Sequence, residues 1–328
     1  MPPDISIVIP VYNSEGILAE LNAQVRKALA GFPYELILVD DRSRDQSWKA
    51  IQQLAQQDEH VLGIRLRKNS GQDNALMAGM RAARGNYVVI MDDDLQHSPF
   101  DILKLHEACG EYDVCFAKFT TKKQAAWKNL GSWLNGKVAE KLIDKPPHIY
   151  LSPFKIIKKD VVGEIIKYNG PYPYIDGLLF MVTAHVTQLE GITHYRRHEG
   201  RSNYNLWRSI KVFLKLATNF SIVPLRLATV LGFASAILSF LLSVGFFIEY
   251  LLSDRSPEGW TSLMLITLFL GGVVLIAIGI MGEYVGRVFL YMNRSANVFS
   301  VAETASKKPI VRDETPMQET IANYTRHQ

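Results

Sequence analysis

The sequence has few cysteines and lacks the glycine-rich signatures of common phosphate-binding loops. Only Cys109 and Cys115 occur in 328 residues, which excludes a disulfide-stabilised scaffold and favours two reduced core thiols. Neither G-x-G-x-x-G nor G-x-x-x-x-G-K-S/T is present. A nucleotide would therefore have to be held by other means, and carboxylates together with a metal are the obvious substitute.

A large net charge and a secretion signal are also lacking. The formal charge is only +4, and the basic residues concentrate at the borders of an apolar region, where anionic lipid would attract them. Nucleic acid is therefore not an expected partner. The N-terminal apolar run is too short for a signal peptide and has no basic leader. We expect the N-terminal part of the chain to remain in the cytoplasm.

Two long charge-free runs are present, Leu227–Ile248 and Gly259–Gly282. Each exceeds the ~18–20 residues that a helix needs to cross the hydrocarbon core, so a pair of buried helices in a soluble protein is the less favoured alternative. The outer flanks are basic, with Arg226 before and Arg287 after, and the connecting loop is acidic on balance. The positive-inside rule predicts a multi-pass protein of the inner (plasma) membrane with both termini cytoplasmic.

The N-terminal part alternates between strand and helix patterns, which predicts a Rossmann-like, mostly parallel sheet with helices on both faces. Ser14 is the expected cap of the first helix. The predicted strands are Ile5–Pro10, Glu35–Val39, Val61–Leu66, Tyr87–Met91 and Asp113–Ala117. The predicted regions are a catalytic domain (1–204), an interfacial amphipathic helix (205–220), a transmembrane hairpin (221–292) and a flexible cytosolic tail (293–328).

Three adjacent carboxylates, Asp92, Asp93 and Asp94, directly follow a predicted buried strand. They repel one another and resist burial, and Mg²⁺ or Mn²⁺ would relieve both problems because these ions prefer oxygen ligands. The predicted metal ligands are Asp92, Asp94 and Gln96, whereas Asp93 is given no ligand role. The alternative is an acidic loop that merely caps the next helix.

Polar side chains also follow the first two predicted strands. Asn13 comes after the first strand, and Asp40 and Asp41 end the second. The carboxyl ends of strands in open α/β sheets are where ligands bind. We therefore expect these side chains to share one edge of the sheet with the carboxylates at 92–94.

Several short segments form a recognisable set of motifs. Together they resemble the family 2 glycosyltransferases, and within that family the polyprenyl-phosphate glycosyltransferases with a C-terminal membrane hairpin. The resemblance implies a GT-A-type fold, a nucleotide-diphosphate-sugar donor, a membrane polyprenyl-phosphate acceptor, Mg²⁺ or Mn²⁺, and a homo-oligomer. The segments are Val8–Asn13, Val39–Ser47, Asn69–Gln72 with Ala75–Gly79, Asp92–Gln96, Arg197–Tyr204 and Gly282–Arg287.

The resemblance also assigns roles by position. It implies catalytic roles for Asp94 and Arg197, and Asp176 is the third catalytic candidate because it could replace a base that this chain lacks. It implies contacts with the phosphates or the acceptor for Arg197 and Ser202, and we add Lys118 as the preferred cation for the acceptor phosphate. The implied nucleotide-binding residues are Pro10, Tyr12, Asn13, Asp41, Arg42, Asn69, Gln72 and Asp92.

The sequence departs from the family pattern at three positions. Arg42 stands where the family usually has Gly, so it either contacts the nucleotide or changes the turn. Asn203 replaces a Lys of many relatives, and Pro153 stands where relatives have an Asp that is sometimes considered catalytic. Either no base is used or Asp176 takes over, and Asp176 can equally bind sugar hydroxyls or cap a turn. A monoester phosphate, with a second pKa of about 6, attacks without a strong base.

These features predict an inverting transferase that moves one sugar from a UDP-sugar to undecaprenyl phosphate at the cytosolic membrane face. The alternatives are a transferase with another nucleotide or lipid acceptor, and an idle membrane scaffold that kept the fold. The residues expected to set specificity are Arg42 and Asp176.

Overall fold

The computed structural model describes residues 2–119, 145–170, 173–192, 259–292 and 299–307, with scattered positions between 228 and 248. The predicted interfacial helix at 205–220 lies outside the described residues. Arg197, Ser202 and Asn203 also lie outside them, so their predicted roles are not tested by the structure.

The described strands form one eight-stranded sheet in the order β7-β5-β6-β4-β1-β2-β3-β8. Four neighbouring pairs are parallel (β1–β2, β1–β4, β2–β3 and β5–β7), and the pairs β3–β8, β4–β6 and β5–β6 are antiparallel. The predicted α/β, mostly parallel sheet is confirmed. The strands are β1 (Ile5–Val11), β2 (Tyr34–Asp40), β3 (Val61–Leu66), β4 (Tyr87–Ile90), β5 (Val114–Phe119), β6 (Lys155–Lys158), β7 (Val186–Ile192) and β8 (Val301–Ser306).

Helices cover both faces of the sheet, as the alternating pattern predicts. Successive side chains of a strand point to opposite faces, so Ile7 and Ile9 of β1 join one apolar cluster while Val8 joins the other. Strands buried on both faces explain the continuous apolar runs in the sequence. The helices are α1 (Leu18–Ala28), α2 (Ser47–Gln57), α3 (Gln72–Ala82), α4 (Ile102–Cys109, preceded by the 3-10 turn Pro99–Asp101), α5 (Lys159–Ile165), α6 (Ile175–Val182) and α7 (Trp260–Met292).

The two cysteines are buried and free, as predicted, whereas the predicted helix cap at Ser14 is wrong. Helix α1 begins at Leu18, and its N-cap, Ile17, makes no side-chain capping bond. The hydroxyl of Ser14 instead donates to Oδ2 of Asp93 at 2.5 Å. Ser14 therefore belongs to the edge of the sheet that carries the carboxylates.

The prediction of a flexible tail is wrong for residues 301–306, which form β8 against β3. Glu303 anchors this strand, because its carboxylate accepts a hydrogen bond from Trp48 Nε1 at 2.9 Å and pairs with Arg65 at 3.2 Å. A polar strand is compatible with this position, since one face of an edge strand meets solvent. The segment 301–306 thus adds a strand to the sheet C-terminal to the apolar segment 259–292.

Helix α7 contains the one segment among the described residues that is long and apolar enough to cross a membrane, Phe269–Gly286, and none of that segment is buried. A helix of 33 residues is about 50 Å long at 1.5 Å per residue, which exceeds the ~30 Å hydrocarbon core. The described positions between 228 and 248 are also helical. The two-helix hairpin remains a prediction.

Candidate active site

Three loops meet at the carboxyl edge of β1, β2 and β4. The register pairs Val11 with Asp40 and Val8 with Ile90, so the polar residues after these strands are neighbours, as predicted. Each loop contains a non-glycine residue in the left-handed region: Asn13 (φ 56°), Arg42 (φ 59°) and Leu95 (φ 56°). This conformation costs roughly 1–2 kcal/mol per residue. Such strain clusters at functional sites.

The loops after β1 and β2 are held together by side-chain hydrogen bonds. The amide of Asn13 donates to Ser43 Oγ at 3.0 Å, and Oδ1 of Asn13 accepts from the amide of Arg44 at 2.8 Å. The amide of Ser14 donates to Ser47 Oγ at 2.8 Å. These hydrogen bonds therefore hold the two loops together at the edge of the sheet.

Asp41 organises the loop that precedes α3. Its two carboxylate oxygens accept hydrogen bonds from the amides of Ser70 at 2.6 Å and Gly71 at 2.8 Å. Asn69 donates from Nδ2 to the carbonyl of Asp41 at 3.1 Å. Burial raises the pKa of Asp41, although the two amide donors oppose the shift. The structure thus brings Asp41 and Asn69 together, with Asp41 in a structural role as well as its predicted nucleotide-binding role.

The other predicted nucleotide-binding residues lie at the same edge. Pro10 pairs with Val39 inside the sheet, and Tyr12 follows β1 with 44% of its surface exposed. The side chain of Arg42 is exposed, and its left-handed backbone explains why a glycine suits this position. The structure places these residues around the edge of the sheet, and their contacts with a nucleotide remain a prediction.

The carboxylates at 92–94 occupy different environments. Burial, followed by the charges of Asp94 and Asp93, raises the pKa of Asp92 to about 6, against the opposing effects of Lys155 and Gln72. Gln72 donates from Nε2 to Oδ1 of Asp92 at 2.9 Å. Burial also raises the pKa of Asp93.

Asp94 shapes the loop around Gln96, whose amide donates to Oδ1 of Asp94 at 3.1 Å. Across the part of the chain that the structure describes, no group of three His, Cys, Asp or Glu side chains is arranged to hold a metal ion by itself. Mg²⁺ is commonly held by one or two carboxylates together with substrate phosphates. Burial, followed by repulsion from Asp94 and Asp93, disfavours the charged form of Asp92, and a bound cation offsets both effects. This donor set therefore fits a divalent metal.

Sequence reasoning missed His97, a buried residue that contacts the backbone of the carboxylate loop. Its ring is 2% exposed and lies between Phe119 and Phe154, with ring centroids 5.3 and 5.4 Å away. Nδ1 of His97 accepts a hydrogen bond from the amide of Asp92 at 3.4 Å. The sequence around His97 contains no pattern that predicts burial.

Sequence reasoning also missed Lys155 of β6. The side chain of Lys155 is only 4% exposed and forms an ion pair with Asp176, which lies in the first turn of α6. Its ammonium lies 5.3 Å from the centroid of the Phe116 ring. A lysine inside the apolar run Phe154–Ile157 was the available signal, because lysine is almost never fully buried unless it is paired.

Lys118, the predicted acceptor-phosphate ligand, lies on β5 and is partly exposed. Its ammonium pairs with Glu190 of β7 at 2.7 Å. The sequence also contains Lys122, Lys123 and Arg196 as further basic candidates for the acceptor phosphate, and these three lie outside the described residues. The structure therefore shows where Lys118 is, and its role remains a prediction.

The fold and the site define a GT-A-type α/β enzyme. A family model described as "Glycosyl transferase family 2" matches residues 6–166. An uncharacterized glycosyltransferase, YkcC, of Bacillus subtilis is 31% identical over 87% of this chain and 89% of its own length. An undecaprenyl-phosphate 4-deoxy-4-formamido-L-arabinose transferase of Proteus mirabilis is 29% identical over 93% of this chain and 95% of its own length.

The chain therefore belongs to the family 2 glycosyltransferases, in their polyprenyl-phosphate glycosyltransferase subgroup, and it is an enzyme. Among solved structures, glucosyl-3-phosphoglycerate synthase from Mycobacterium tuberculosis is similar with a TM-score of 0.49 and 16% identity. The match covers 66% of this chain and 79% of that chain.

Proposed function

We propose that this enzyme transfers a sugar from a UDP-sugar to undecaprenyl phosphate, with inversion at the anomeric carbon, at the cytosolic face of the plasma membrane. The observation that carries the proposal is the carboxylate loop at 92–94. It lies at the edge of the sheet beside the loops after β1 and β2, which are joined by hydrogen bonds. The relatives named as undecaprenyl-phosphate transferases match almost the whole chain, which supports the lipid acceptor.

The donor's diphosphate would lie at Asp92, Asp94 and Gln96, the residues that would hold Mg²⁺ or Mn²⁺. A bound divalent cation would neutralise the charge that develops on the departing diphosphate. Arg197 and Ser202 are proposed to reach the same phosphates. The uridine would lie against Pro10, Tyr12, Asn13, Asp41, Arg42, Asn69 and Gln72.

A phosphate oxygen of the lipid attacks the anomeric carbon, and the bond from that carbon to the diphosphate oxygen breaks. The lipid phosphate is mostly dianionic near neutral pH, since its second pKa is about 6, so a general base is not required. Asp176 supports this assignment, because its carboxylate is already engaged in an ion pair with Lys155.

The acceptor phosphate would be held by Lys118 near the membrane surface. Exposed apolar side chains along α7 support a membrane location, since a soluble chain rarely exposes so large an apolar surface. We propose a multi-pass hairpin that leaves the catalytic domain and both termini in the cytoplasm, and a homo-oligomeric assembly.

The proposal is tested by sugar transfer in membranes that contain the full-length protein. Asp94→Asn removes a proposed ligand while keeping the size of the side chain, and we expect at least a 100-fold loss of transfer. Asp93→Asn is the matched control, because Asp93 is proposed to bind no metal and an asparagine still accepts the hydrogen bond from Ser14. Unchanged transfer by Asp94→Asn would contradict the metal site and would favour an idle scaffold.

A second measurement addresses the nucleotide. We expect the wild-type protein to bind UDP in the presence of Mg²⁺ or Mn²⁺ and to bind GDP at least 10-fold more weakly. Equal affinity for the two nucleotides would defeat the preference for UDP and would leave a transferase with another donor.

A further inference from the structure

A small cavity lies next to the carboxylate loop, and its walls combine charged and apolar groups. It has a volume of about 190 Å³ and lies between the first turn of α3, the end of β4, the start of β6 and the first turn of α6. Gln72 connects it to the proposed metal site, since Gln72 lines the cavity and also donates to Asp92 at 2.9 Å. A ligand group in this cavity would therefore be adjacent to a diphosphate bound at Asp92.

The polar wall of the cavity contains one cation and two carboxylates. Lys155 and Asp176 form a buried ion pair there, and Asp73 contributes the second carboxylate. A buried ion pair is weak evidence for stability, because apolar replacements are often as stable. The position of this pair inside a cavity beside the active site favours a role in binding.

The apolar wall is formed by Leu76, Ile90 and Ile175. A sugar ring matches this combination, because its hydroxyl groups need donors and acceptors while its C–H faces pack on aliphatic side chains. The ammonium of Lys155 carries three N–H donors, and the carboxylates accept from hydroxyl groups. The volume suits one sugar ring and is too small for a longer saccharide.

We propose that this cavity binds the donor sugar and that its charges select a sugar without an acidic group. This inference rests on the proposed function, which it deepens by naming the class of sugar. With two carboxylates against one ammonium, the cavity repels a sugar carboxylate as well as a lipid phosphate. The ammonium of Lys155, which could attract an anion, is already neutralised by its ion pair with Asp176. The selected donors are neutral or N-acylated sugars, and uronic acids are excluded.

The test measures the affinities of the full-length protein in detergent with Mg²⁺ for UDP, UDP-glucose and UDP-glucuronic acid. The wild-type protein is expected to bind UDP-glucose at least 10-fold more tightly than UDP-glucuronic acid. Asp176→Asn removes the ion-pair partner of Lys155, so this ratio should fall at least 10-fold while the affinity for UDP stays within twofold. A loss of affinity that is equal for all three compounds would indicate a structural role and overturn the inference.

Two further variants keep the test independent of the stability of one mutant. Asp73→Asn removes a carboxylate and leaves the Lys155–Asp176 pair intact, so the ratio should fall in the same direction. Asp113→Asn is the matched control. Asp113 pairs with Lys158, which lies on β6 like Lys155, and the two charged groups are 3.8 Å apart. Asp113 does not line the cavity. Its ratio should equal that of the wild type.

The outcomes separate this inference from the proposed function. A wild-type protein that binds UDP, with a donor ratio that neither Asp176→Asn nor Asp73→Asn changes, overturns the sugar site alone. A wild-type protein that binds none of the three compounds overturns the UDP-sugar function and the sugar site with it.

Discussion

The substitution Asp92→Asn is expected to stabilise the metal-free protein and to abolish its activity. Burial and the charges of Asp94 and Asp93 raise the pKa of Asp92 from 3.8 to about 6. Because one pKa unit corresponds to about 1.36 kcal/mol, the native environment disfavours the charged form by about 3 kcal/mol at pH 7. An asparagine carries no charge, so most of this free energy should be recovered.

The sign of the pH dependence follows from the same shift. The native protein keeps a proton on Asp92 up to about pH 6, whereas the unfolded chain releases it near pH 4. The native state therefore binds more protons in this range, and the contribution of Asp92 to stability is lost as the pH rises from about 4 to 6. Asp92→Asn should remove this contribution and leave the other carboxylates to set the remaining pH dependence.

The assay is thermal unfolding of the full-length protein in detergent, followed by tryptophan fluorescence with EDTA or with Mg²⁺. In EDTA at pH 7 the variant should unfold several degrees higher than the wild type, since 1 kcal/mol corresponds to ~2–4 °C for domains of this size. Mg²⁺ should stabilise the wild type and have no effect on the variant. The reasoning would be refuted if the variant unfolds at a lower temperature than the wild type in EDTA at pH 7, or if Mg²⁺ stabilises the variant.

Two other substitutions test the strained edge and the last strand. Arg42→Gly should stabilise the protein by roughly 1 kcal/mol, because the left-handed φ of 59° is strained for arginine, and should weaken UDP binding if the side chain contacts the nucleotide. An unfolding temperature that does not rise would contradict the strain. Glu303→Ala removes the acceptor of Trp48 Nε1 and the partner of Arg65, so amide hydrogen exchange of β8 should accelerate at least 10-fold relative to β1; unchanged exchange would contradict the anchoring role.

The first half of the fold could be predicted because its strands are buried on both faces. Continuous apolar runs predicted the ends of β1 to β5 to within about two residues. The alternation of these strands with helices predicted the mostly parallel sheet. The second half was not predicted, because β6 has lysines at both ends and β7 contains Gln188, Glu190 and Gly191, so neither forms a continuous apolar run. The polar strand β8 resembled a tail, since its pairing with β3 depends on a contact that is distant in sequence.

The site followed from the sequence where its residues end a strand. Asn13, Asp41 and the carboxylates at 92–94 were predicted to share an edge because the carboxyl ends of neighbouring parallel strands meet, and the register confirms it. Ser14, His97 and Lys155 were missed, because they reach the site through hydrogen bonds or ion pairs with residues that only the folded chain brings close. The order of strands places β6 beside β4 and pairs Lys155 with Ile90, which brings Lys155 next to the carboxylate loop.

The pairing of β8 with β3 limits how far the catalytic sheet can be from the end of the last membrane-type helix. Helix α7 ends at Met292, and β8 begins at Val301. At ~3.3–3.6 Å per extended residue, this connection reaches about 30 Å at most. If α7 spans the bilayer as proposed, this connection sets an upper limit on the distance between the sheet and the membrane surface. The length of this connection would then limit how far the active site can lie from a lipid phosphate at the headgroups.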